Sequence, residues 1–190
     1  MKILAILAGP RKNQVTDNLT NNVLKGFKEQ GIESEKIYLY DSNIKPCTGC
    51  MSCYETQKCV IKDDMELILN KMRESEIIVF ASPVYFSNVT SDAKKFFDRG
   101  VSFFKMTQIG PKQITPKPKS VILITSCGAP FPFSHILGTI GGSLRAMKAF
   151  FGCMSVKIQT ITATGIMNFD KKTCAKFMGK AYNLGKNFKA

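Results

Sequence analysis

The feature that most constrains the fold of this chain is a strand pattern followed by a helix pattern, repeated five times. The strand candidates cover residues 2–8, 36–40, 77–81, 120–126 and 155–163. The first, third and fourth are continuous apolar runs, which are typical of parallel strands covered by helices on both faces. Alternating strands and helices predict a parallel sheet connected by right-handed crossovers.

The helix patterns lie between and after these strands. Thr16 is expected to cap a helix in which apolar residues recur every four positions and which has Gly31 just past its end. A second helix is expected to open at residues 63–64, and the others cover about 91–104, 136–151 and 171–188. Three glycines weaken the helix signal at 136–151.

The length of 190 residues selects among folds of this kind. A barrel of eight strand–helix units needs roughly 250 residues. We therefore predict an α/β fold: a flavodoxin-like, doubly wound, five-stranded parallel sheet with helices on both faces, forming one domain over residues 1–190. In this strand order a ligand binds at the carboxyl ends of the strands, so the loops at 9–15, 82–90 and 127–135 are expected to form the site.

Composition restricts the chemistry. His135 is the only histidine, which disfavours a His-based triad or a metal site with several His ligands. The apolar run at 3–8 is too short for a secretory signal, and the run at 77–86 is interrupted by Ser82-Pro83. We expect a soluble, cytoplasmic protein that does not enter a membrane and whose seven cysteines are free or bind metal.

The positive charge is concentrated in the second half of the chain. Residues 101–190 contain 13 basic residues and one acidic residue, and they account for +12 of the net charge of +13. This excess either faces solvent or attracts an anionic partner. Nucleic acid is the less favoured partner, because the basic residues are scattered singly and the aromatic residues mostly share apolar segments.

The first loop leaves a buried strand and enters a helix N-terminus, an arrangement that suits a phosphate group. Its alternative interpretation is an ordinary Gly-Pro turn with a surface arginine and a capping threonine. The candidate binding residues of this loop are Gly9, Pro10, Arg11, Asn13, Gln14, Val15 and Thr16.

The second and third loops could enclose a flat heterocycle, with aromatic side chains on one side and closely approaching backbone on the other. For the second loop, a turn with buried aromatic residues is the alternative. The candidate binding residues are Pro83, Val84, Tyr85, Phe86, Ser87 and Asn88 in the second loop, and Ser126, Cys127 and Gly128 in the third.

Four cysteines form a compact cluster motif, and they are Cys47, Cys50, Cys53 and Cys59. Gaps of two residues allow the backbone to turn each sulfur inward around one [4Fe-4S] cluster. Structural zinc sites usually divide their ligands into two separated pairs, a division that is absent from this motif. The alternatives are therefore an iron–sulfur cluster or four free thiols. The remaining cysteines, Cys127, Cys153 and Cys174, are expected to be buried apolar thiols.

Three motifs together resemble the NADPH-dependent FMN reductase and iron–sulfur flavoprotein family. They are the Gly-Pro-Arg-Lys-Asn loop at 9–13, the Ser-Pro-Val-Tyr-Phe loop at 82–86 with Lys-Lys-Phe-Phe-Asp-Arg at 94–99, and the cysteine segment at 45–65. The resemblance implies a flavodoxin-like fold, FMN held by the three loops, and homodimers or homotetramers with flavins near the subunit interface. Gly9 and Gln14-Val15 replace the family's usual Ser and Ser-Asn, which removes side-chain partners from the phosphate loop.

These observations predict an FMN-dependent oxidoreductase that takes electrons from NAD(P)H as hydride, or singly through the cluster, for an unknown acceptor. No side chain is required as a catalytic acid or base. One alternative is a non-enzymatic electron carrier with a ferredoxin-like donor. Another is a regulatory or nucleic-acid-binding module that has lost its flavin, since Gly9 departs from the family pattern and the second half is strongly basic.

Overall fold

A five-stranded parallel sheet forms the centre of the molecule. The computed structural model describes residues 1–107, 110–113, 118–154, 156–168 and 171–189. The strands are β1 (Ile3–Leu7), β2 (Ser34–Tyr38), β3 (Ile77–Pro83), β4 (Phe104–Thr107), β5 (Gly110–Gln113), β6 (Ser120–Ser126) and β7 (Lys157–Ala163). The main sheet has the order β2-β1-β3-β6-β7, and every neighbouring pair is parallel. This is the flavodoxin-like order, so the predicted fold class is confirmed.

Helices cover both faces of the sheet because successive strand residues point to opposite sides. The helices are α1 (Val15–Glu29), α2 (Ser52–Thr56), α3 (Asp64–Glu74), α4 (Ser91–Arg99), α5 (Phe133–Ile136), α6 (Thr139–Gly152) and α7 (Lys171–Lys186). In β1, Leu4 and Ile6 belong to the core beneath α3, α4 and α6, whereas Ile3 and Ala5 belong to the core beneath α1 and α7. Because both faces of the sheet are covered, the central strands β1, β3 and β6 are mainly apolar and buried, whereas the edge strands β2 and β7 are mixed in polarity.

Some element boundaries differ from the sequence-based prediction. The second strand lies two residues earlier than expected, and a short 3-10 helix, Leu39–Asp41, follows it. The helix expected at 91–104 ends at Arg99 and is followed by a 3-10 helix, Gly100–Phe103. Phe104 then begins the antiparallel pair β4–β5, which was not predicted. For the fifth strand, Ser155 lies outside the described residues.

Two helix N-termini also require correction. Gln14, not Thr16, is the N-cap of α1, and Thr16 is the second residue of that helix. The Thr16 hydroxyl is directed to Ser126 on another element and is unavailable for capping. The helix expected at 136–151 is divided into α5 and α6, because Gly138 between them has a φ of +65°.

Helices α1 and α7 cross with their backbones in contact. A Cβ atom added to Gly26 would lie 2.4 Å from the carbonyl oxygen of Tyr182, and one added to Gly185 would lie 2.1 Å from that of Val23. The Gln30 amide also donates to the Gly185 carbonyl at 2.5 Å. Only glycine permits this approach, so the two glycines fix where the helices cross.

The surface of the second half is basic, as the composition requires. Lys119 and Lys186 pair with Glu76 and Glu29 from the first half. Other basic residues lie exposed, among them Lys105, Arg145, Lys148, Lys157, Lys176 and Lys180. Within the part of the chain that the structure describes, no helix has both the length and the apolar character needed to cross a bilayer.

Candidate functional site

A cleft opens at the carboxyl edge of the sheet, where β1, β3 and β6 end. It contains about 750 Å³ of space, part of which is open to solvent. The lining residues are Leu7, Gly9, Pro10, Arg11, Gln14, Val15, Thr16, Asp17, Pro83, Tyr85, Ser126, Ile166 and Met167. The first and second loops singled out from the sequence therefore line one cavity, and the third region contributes only Ser126, the last residue of β6.

The N-terminus of α1 opens into this cleft without a side-chain cap. Gln14 occupies the N-cap position, and its side chain makes no capping hydrogen bond. The first N–H groups of a helix have no partner within the helix, and they carry the positive end of its dipole. With Arg11 also lining the cavity, this end of the cleft has the donors and the charge to bind a phosphate group.

Asp17 fixes the loop that precedes this helix. Its buried carboxylate accepts a hydrogen bond from the Asn13 backbone N–H at 2.7 Å, and Asn13 has a φ of 58°, which asparagine tolerates well. The same carboxylate pairs with Lys36 at 2.6 Å and accepts a hydrogen bond from the Tyr38 hydroxyl at 3.2 Å. Because Lys36 balances the charge of Asp17, the carboxylate can hold the loop beside an anion site.

Hydrogen bonds tie the loops to one another. The hydroxyls of Thr16 and Ser126 lie 2.7 Å apart in a buried contact between the first and third loops. The Ser126 carbonyl accepts from the Val84 N–H at 2.8 Å, which joins the third loop to the second. The Thr90 hydroxyl donates to the Ala8 carbonyl at 2.7 Å and joins the second loop to the first. The cleft is thus a pre-formed cavity, since these ties are within the protein itself.

Gly9 is explained by its proximity to the second loop. A Cβ atom at this position would lie 3.1 Å from Cδ of Pro83 and 3.3 Å from its Cγ. A serine here would require Pro83 to move by a few tenths of an ångström. The absence of a side chain at Gly9 therefore allows the ends of β1 and β3 to pack closely.

A tight turn presents Tyr85 to the cleft. Tyr85 and Asn88 exchange two backbone hydrogen bonds, at 2.9 and 3.0 Å, while Phe86 and Ser87 have φ values of 48° and 59°. Helix α6 supports the turn, because a Cβ at Gly142 would lie 2.0 Å from the Ser87 carbonyl oxygen. Two non-glycine residues in the left-handed region are costly, and such strain is common at binding sites. Phe86 is fully exposed, so only Tyr85 of the two aromatic residues lines the cleft.

Nine of the candidate binding residues therefore line the cleft, and seven support it from behind or lie beside it. The seven are Asn13, Val84, Phe86, Ser87, Asn88, Cys127 and Gly128. The buried Cys127 thiol points to the Ala129 carbonyl, at 3.5 Å, and burial raises its pKa.

Sequence reasoning missed four lining residues, which are Leu7, Asp17, Ile166 and Met167. Ile166 and Met167 follow β7, and the Ile166 N–H donates to the Cys127 carbonyl at 3.2 Å. Gly128 packs closely on Met167, whose sulfur would be 2.9 Å from a Cβ at position 128. Their position after β7 could have predicted them, since the last parallel strand ends at the same edge of the sheet as the others.

The four clustered cysteines, which lie between β2 and β3 in the chain, line a second, smaller cavity. Cys47, Cys50, Cys53 and Cys59 share it with Arg99. Burial raises the pKa of Cys53, and the nearby sulfurs of Cys59, Cys47 and Cys50 raise it further. Among the described residues, no three Cys, His, Asp or Glu side chains are close enough to bind a single metal ion. A cubane cluster holds its four sulfurs farther apart than one ion does, and an all-cysteine ligand set is the one such clusters use.

A buried ion pair closes the base of the cysteine segment. Arg99 donates from Nη1 to Oδ2 of Asp63 at 2.6 Å and from Nη2 to Oδ1 at 3.0 Å, and both side chains are almost wholly buried. The same guanidinium donates to the carbonyls of Lys45 and Ile61, which flank the cysteines. Burial raises the pKa of Asp63, but the bonds from Arg99 and from the backbone outweigh it and hold the pKa below its usual value.

The other cysteines only partly follow the prediction. Cys127 is buried, as expected. Cys153 and Cys174 are half-buried, so the prediction that they are buried is wrong. Cys153 follows the C-terminus of α6, where its thiol donates to the Ala149 carbonyl at 3.1 Å instead of entering the core.

Residues 1–129 match the family described as NADPH-dependent FMN reductase. An iron–sulfur flavoprotein of Methanocaldococcus jannaschii is 42% identical over 99 residues, which is 52% of this chain and 51% of that protein. An iron–sulfur flavoprotein of Methanosarcina thermophila is 38% identical over 101 residues, 53% of each chain. The chain thus matches these curated relatives over about half of their length.

Solved structures extend the similarity over nearly the whole chain. An FMN-dependent NADH-azoreductase from Bacillus anthracis in complex with FMN has a TM-score of 0.74 at 20% identity, covering 97% of this chain and 99% of that one. An NAD(P)H:quinone oxidoreductase from Methanothermobacter marburgensis has a TM-score of 0.80 at 14% identity, covering 98% of each. At these identities the similarity establishes the fold.

Proposed function

The chain belongs to the NADPH-dependent FMN reductase family, and from this premise we propose that it is an FMN-dependent oxidoreductase that accepts electrons from NAD(P)H. The observation that carries the proposal is the uncapped N-terminus of α1, which opens beside Arg11 into a pre-formed cleft at the switch point of the sheet. When bound, FMN supplies the capacity to accept a hydride and to release its electrons singly or in pairs.

The protein binds the cofactor at two ends of the cleft. Backbone N–H groups at the start of α1, the Arg11 guanidinium and the Thr16 hydroxyl hold the phosphate, while Asp17 keeps their loop in place through Asn13. Pro83, Tyr85 and Ser126 contact the ring and ribityl chain, and the backbone of the remaining loop residues shapes the walls. In this proposal residues 1–190 are one FMN-binding domain, and the side chains position FMN without acting as acid or base.

The cysteine segment binds a [4Fe-4S] cluster in this proposal. Cys47, Cys50, Cys53 and Cys59 are the ligands, supported by their common cavity and by relatives whose names include an iron–sulfur group. The cluster provides a second route by which single electrons from a ferredoxin-like donor reach the protein. This route carries one electron at a time, whereas NAD(P)H delivers two electrons together as a hydride.

A second copy of the chain covers an apolar patch beside the cleft. Four apolar residues in and just after the third loop are all more than half exposed: Phe131, Phe133, Ile136 and Leu137. Exposed apolar groups concentrated in one segment are typical of association surfaces. We therefore propose a homodimer or homotetramer in solution, which light scattering at several concentrations tests.

Anaerobic purification tests the proposed function as a whole. We expect protein with FMN-like absorption, stoichiometric FMN after reconstitution, and oxidation of NADPH or NADH by the flavin-loaded protein. Flavin that binds but is reduced only by a ferredoxin-like donor would instead indicate an electron carrier. A colourless protein that takes up no added FMN would contradict the proposal and favour the flavin-free module.

A further inference from the structure

We propose that Arg99 is a positioning residue of the cysteine site, which donates its Nε–H to a cysteine sulfur and stabilises the negative charge gained when that site is reduced. The proposal rests on the proposed iron–sulfur cluster and concerns a side chain outside its ligand set. It assigns a role to the Arg of the Lys-Lys-Phe-Phe-Asp-Arg motif at 94–99, a residue that does not line the cleft.

The first observation is an unsatisfied donor. The Nη atoms of Arg99 are fully occupied by Asp63 and by the carbonyls of Lys45 and Ile61. Nε is buried and has no hydrogen-bond partner, and within the described ranges it is the one buried side-chain nitrogen or oxygen in that state. Leaving a buried donor unpaired is costly, and more so for a charged group, so such an atom calls for a partner.

The second observation is the position of this donor. Arg99 lines the cavity that Cys47, Cys50, Cys53 and Cys59 also line. Its Nη bonds to Lys45 and Ile61 hold the guanidinium at the point where the segment leaves and rejoins the body of the protein. Burial lowers the pKa of Arg99, but the Asp63 carboxylate and the nearby Cys59 outweigh this effect and raise it. The cysteine sulfurs, Cys59 foremost, are thus neighbouring acceptors that Nε could bond.

The effect of such a bond follows from charge. Reduction adds a negative charge at the cysteine site, and the potential of an iron–sulfur site depends on hydrogen bonds to its sulfurs and on local charge. Arginine remains protonated throughout, so its N–H donor is permanent. Asp63 offsets the net charge of Arg99, and the directed N–H therefore carries much of the effect. Its removal should shift the midpoint potential to more negative values.

Spectroscopy on the wild-type protein provides a test that no folding defect can obscure. The chain contains four arginines, so the holoprotein can be prepared with ¹⁵N in arginine alone. After chemical reduction, pulsed EPR of the cluster should detect a weak ¹⁵N coupling from one nearby arginine nitrogen. The coupling should disappear in Arg99→Lys and persist in Arg73→Lys. Its absence from the wild type would overturn the proposal.

Redox titration provides the second test. Arg99→Lys keeps the positive charge but lacks Nε–H, and it should shift the midpoint potential to a more negative value. Arg73→Lys is the matched control, because Arg73 lines the adjacent cavity together with Cys59 but donates to Asn70 instead of a sulfur, and it should leave the potential unchanged. Asp63→Asn retains Nε–H and removes the charge that offsets Arg99, so it should not shift the potential to a more negative value. Equal potentials in wild type and Arg99→Lys would overturn the proposal.

Loading measurements separate this proposal from the function on which it rests. If the wild type binds no iron and sulfide under anaerobic reconstitution, the proposed cluster is wrong and the role of Arg99 is rejected with it. If the wild type loads and Arg99→Lys has the same potential and the same ¹⁵N coupling, only the role of Arg99 is rejected. Circular dichroism of each variant establishes that it is folded. If Asp63→Asn loads and a folded Arg99→Lys does not, the result supports the proposal; loss of loading in both overturns it.

Discussion

The cleft and the cysteine segment are both candidate redox sites, but they are constructed in different ways. Buried hydrogen bonds join the loops of the cleft, such as the contact between Thr16 and Ser126. The cysteine segment lies at the surface, with Cys47 and Cys50 exposed and no buried residue in α2. The sheet itself therefore forms the cleft, whereas the cysteine segment is joined to the body of the protein at its base, through Asp63 and Arg99.

The backbone of the cysteine segment supports the same distinction. Gly49, Met51 and Gln57 have φ values near +60°, and the short helix α2 begins and ends at two of these residues. Left-handed residues are costly unless the surroundings hold them. In the cleft, by contrast, the left-handed Asn13 is held by a buried carboxylate. The left-handed residue of the cleft is thus held by a buried side chain, whereas Gly49 and Met51 of the cysteine segment are exposed.

The largest expected effect is loss of the cluster in Cys50→Ser. Iron and acid-labile sulfide should fall close to zero while FMN content remains unchanged, because the two sites share no lining residue. Metal, sulfide and flavin analysis of anaerobic preparations measures both quantities. Cys174→Ser, on α7, is the matched control and should retain both cofactors. Simultaneous loss of FMN would mean that the two regions are not independent.

The next effect concerns the anchor of the cysteine segment. Asp63→Asn should lower the free energy of unfolding by about 3–5 kcal/mol, because it leaves the buried Arg99 charge without its partner. Asp92→Asn, which removes a partly exposed pair with Lys95 on α4, should cost less than about 1 kcal/mol. Urea denaturation of the two variants makes the comparison. Equal costs would contradict the idea that one buried pair anchors the segment.

The same carboxylate sets a pH dependence. Because the pKa of Asp63 is depressed in the folded state, its contribution is complete above the ordinary carboxyl pKa of 3.8. That contribution is lost as the pH falls from that value through the depressed one. Wild-type stability should therefore decline more steeply than that of Asp63→Asn in this acid range, as urea melts at several pH values would measure.

A smaller effect is expected at the cleft. Arg11→Ala should weaken FMN binding by about 1.5–3 kcal/mol, the value of a charge-assisted hydrogen bond. Lys12→Ala is the matched control, since Lys12 pairs with Asp41 and does not line the cleft. Fluorescence titration of the apoprotein with FMN gives both affinities. An unchanged affinity in Arg11→Ala would remove Arg11 from the binding site.

The smallest effect tests whether the basic half steers donors to either region. If residues 101–190 attract NADPH or an acidic ferredoxin-like protein, the second-order rate of reduction should fall as salt screens fields beyond about 8–10 Å. Stopped-flow reduction at low and high ionic strength, with each donor separately, measures the slope. Flat rates with both donors would assign the basic residues to solvation or subunit contacts.

The sequence predicted the central sheet because its signals are local. Continuous apolar runs and amphipathic helices are visible within a few residues, and they determined the strand order once a flavodoxin-like fold was chosen. The β4–β5 hairpin was missed, since each strand has only four residues: β4 alternates between apolar and polar residues, but its partner begins with Gly110 and Pro111, which are depleted in strands. Local signals also gave the wrong role for Thr16, which was predicted to cap α1 but whose hydroxyl contacts that of Ser126, 110 residues away in sequence.

The details of both sites depend on contacts that are distant in sequence. Asp63 and Arg99 lie 36 residues apart, and nothing near either residue predicts that they form a buried pair. Met167 follows the last strand without a recognisable motif and reaches the cleft only because the third loop packs against it. Such residues can be identified only when the folded sheet brings the carboxyl ends of its strands to one edge.

The crossing of α1 and α7 has a consequence for anion recognition. The α1 dipole attracts an anion in the cleft only if the N-terminus of the helix points into the cleft. The contact between Gly185 and the Val23 carbonyl sets the tilt of that helix. The direction in which the backbone N–H groups at the start of α1 point therefore depends on the packing of α7. A methyl group at position 185 would redirect the α1 axis without touching any residue that lines the cleft.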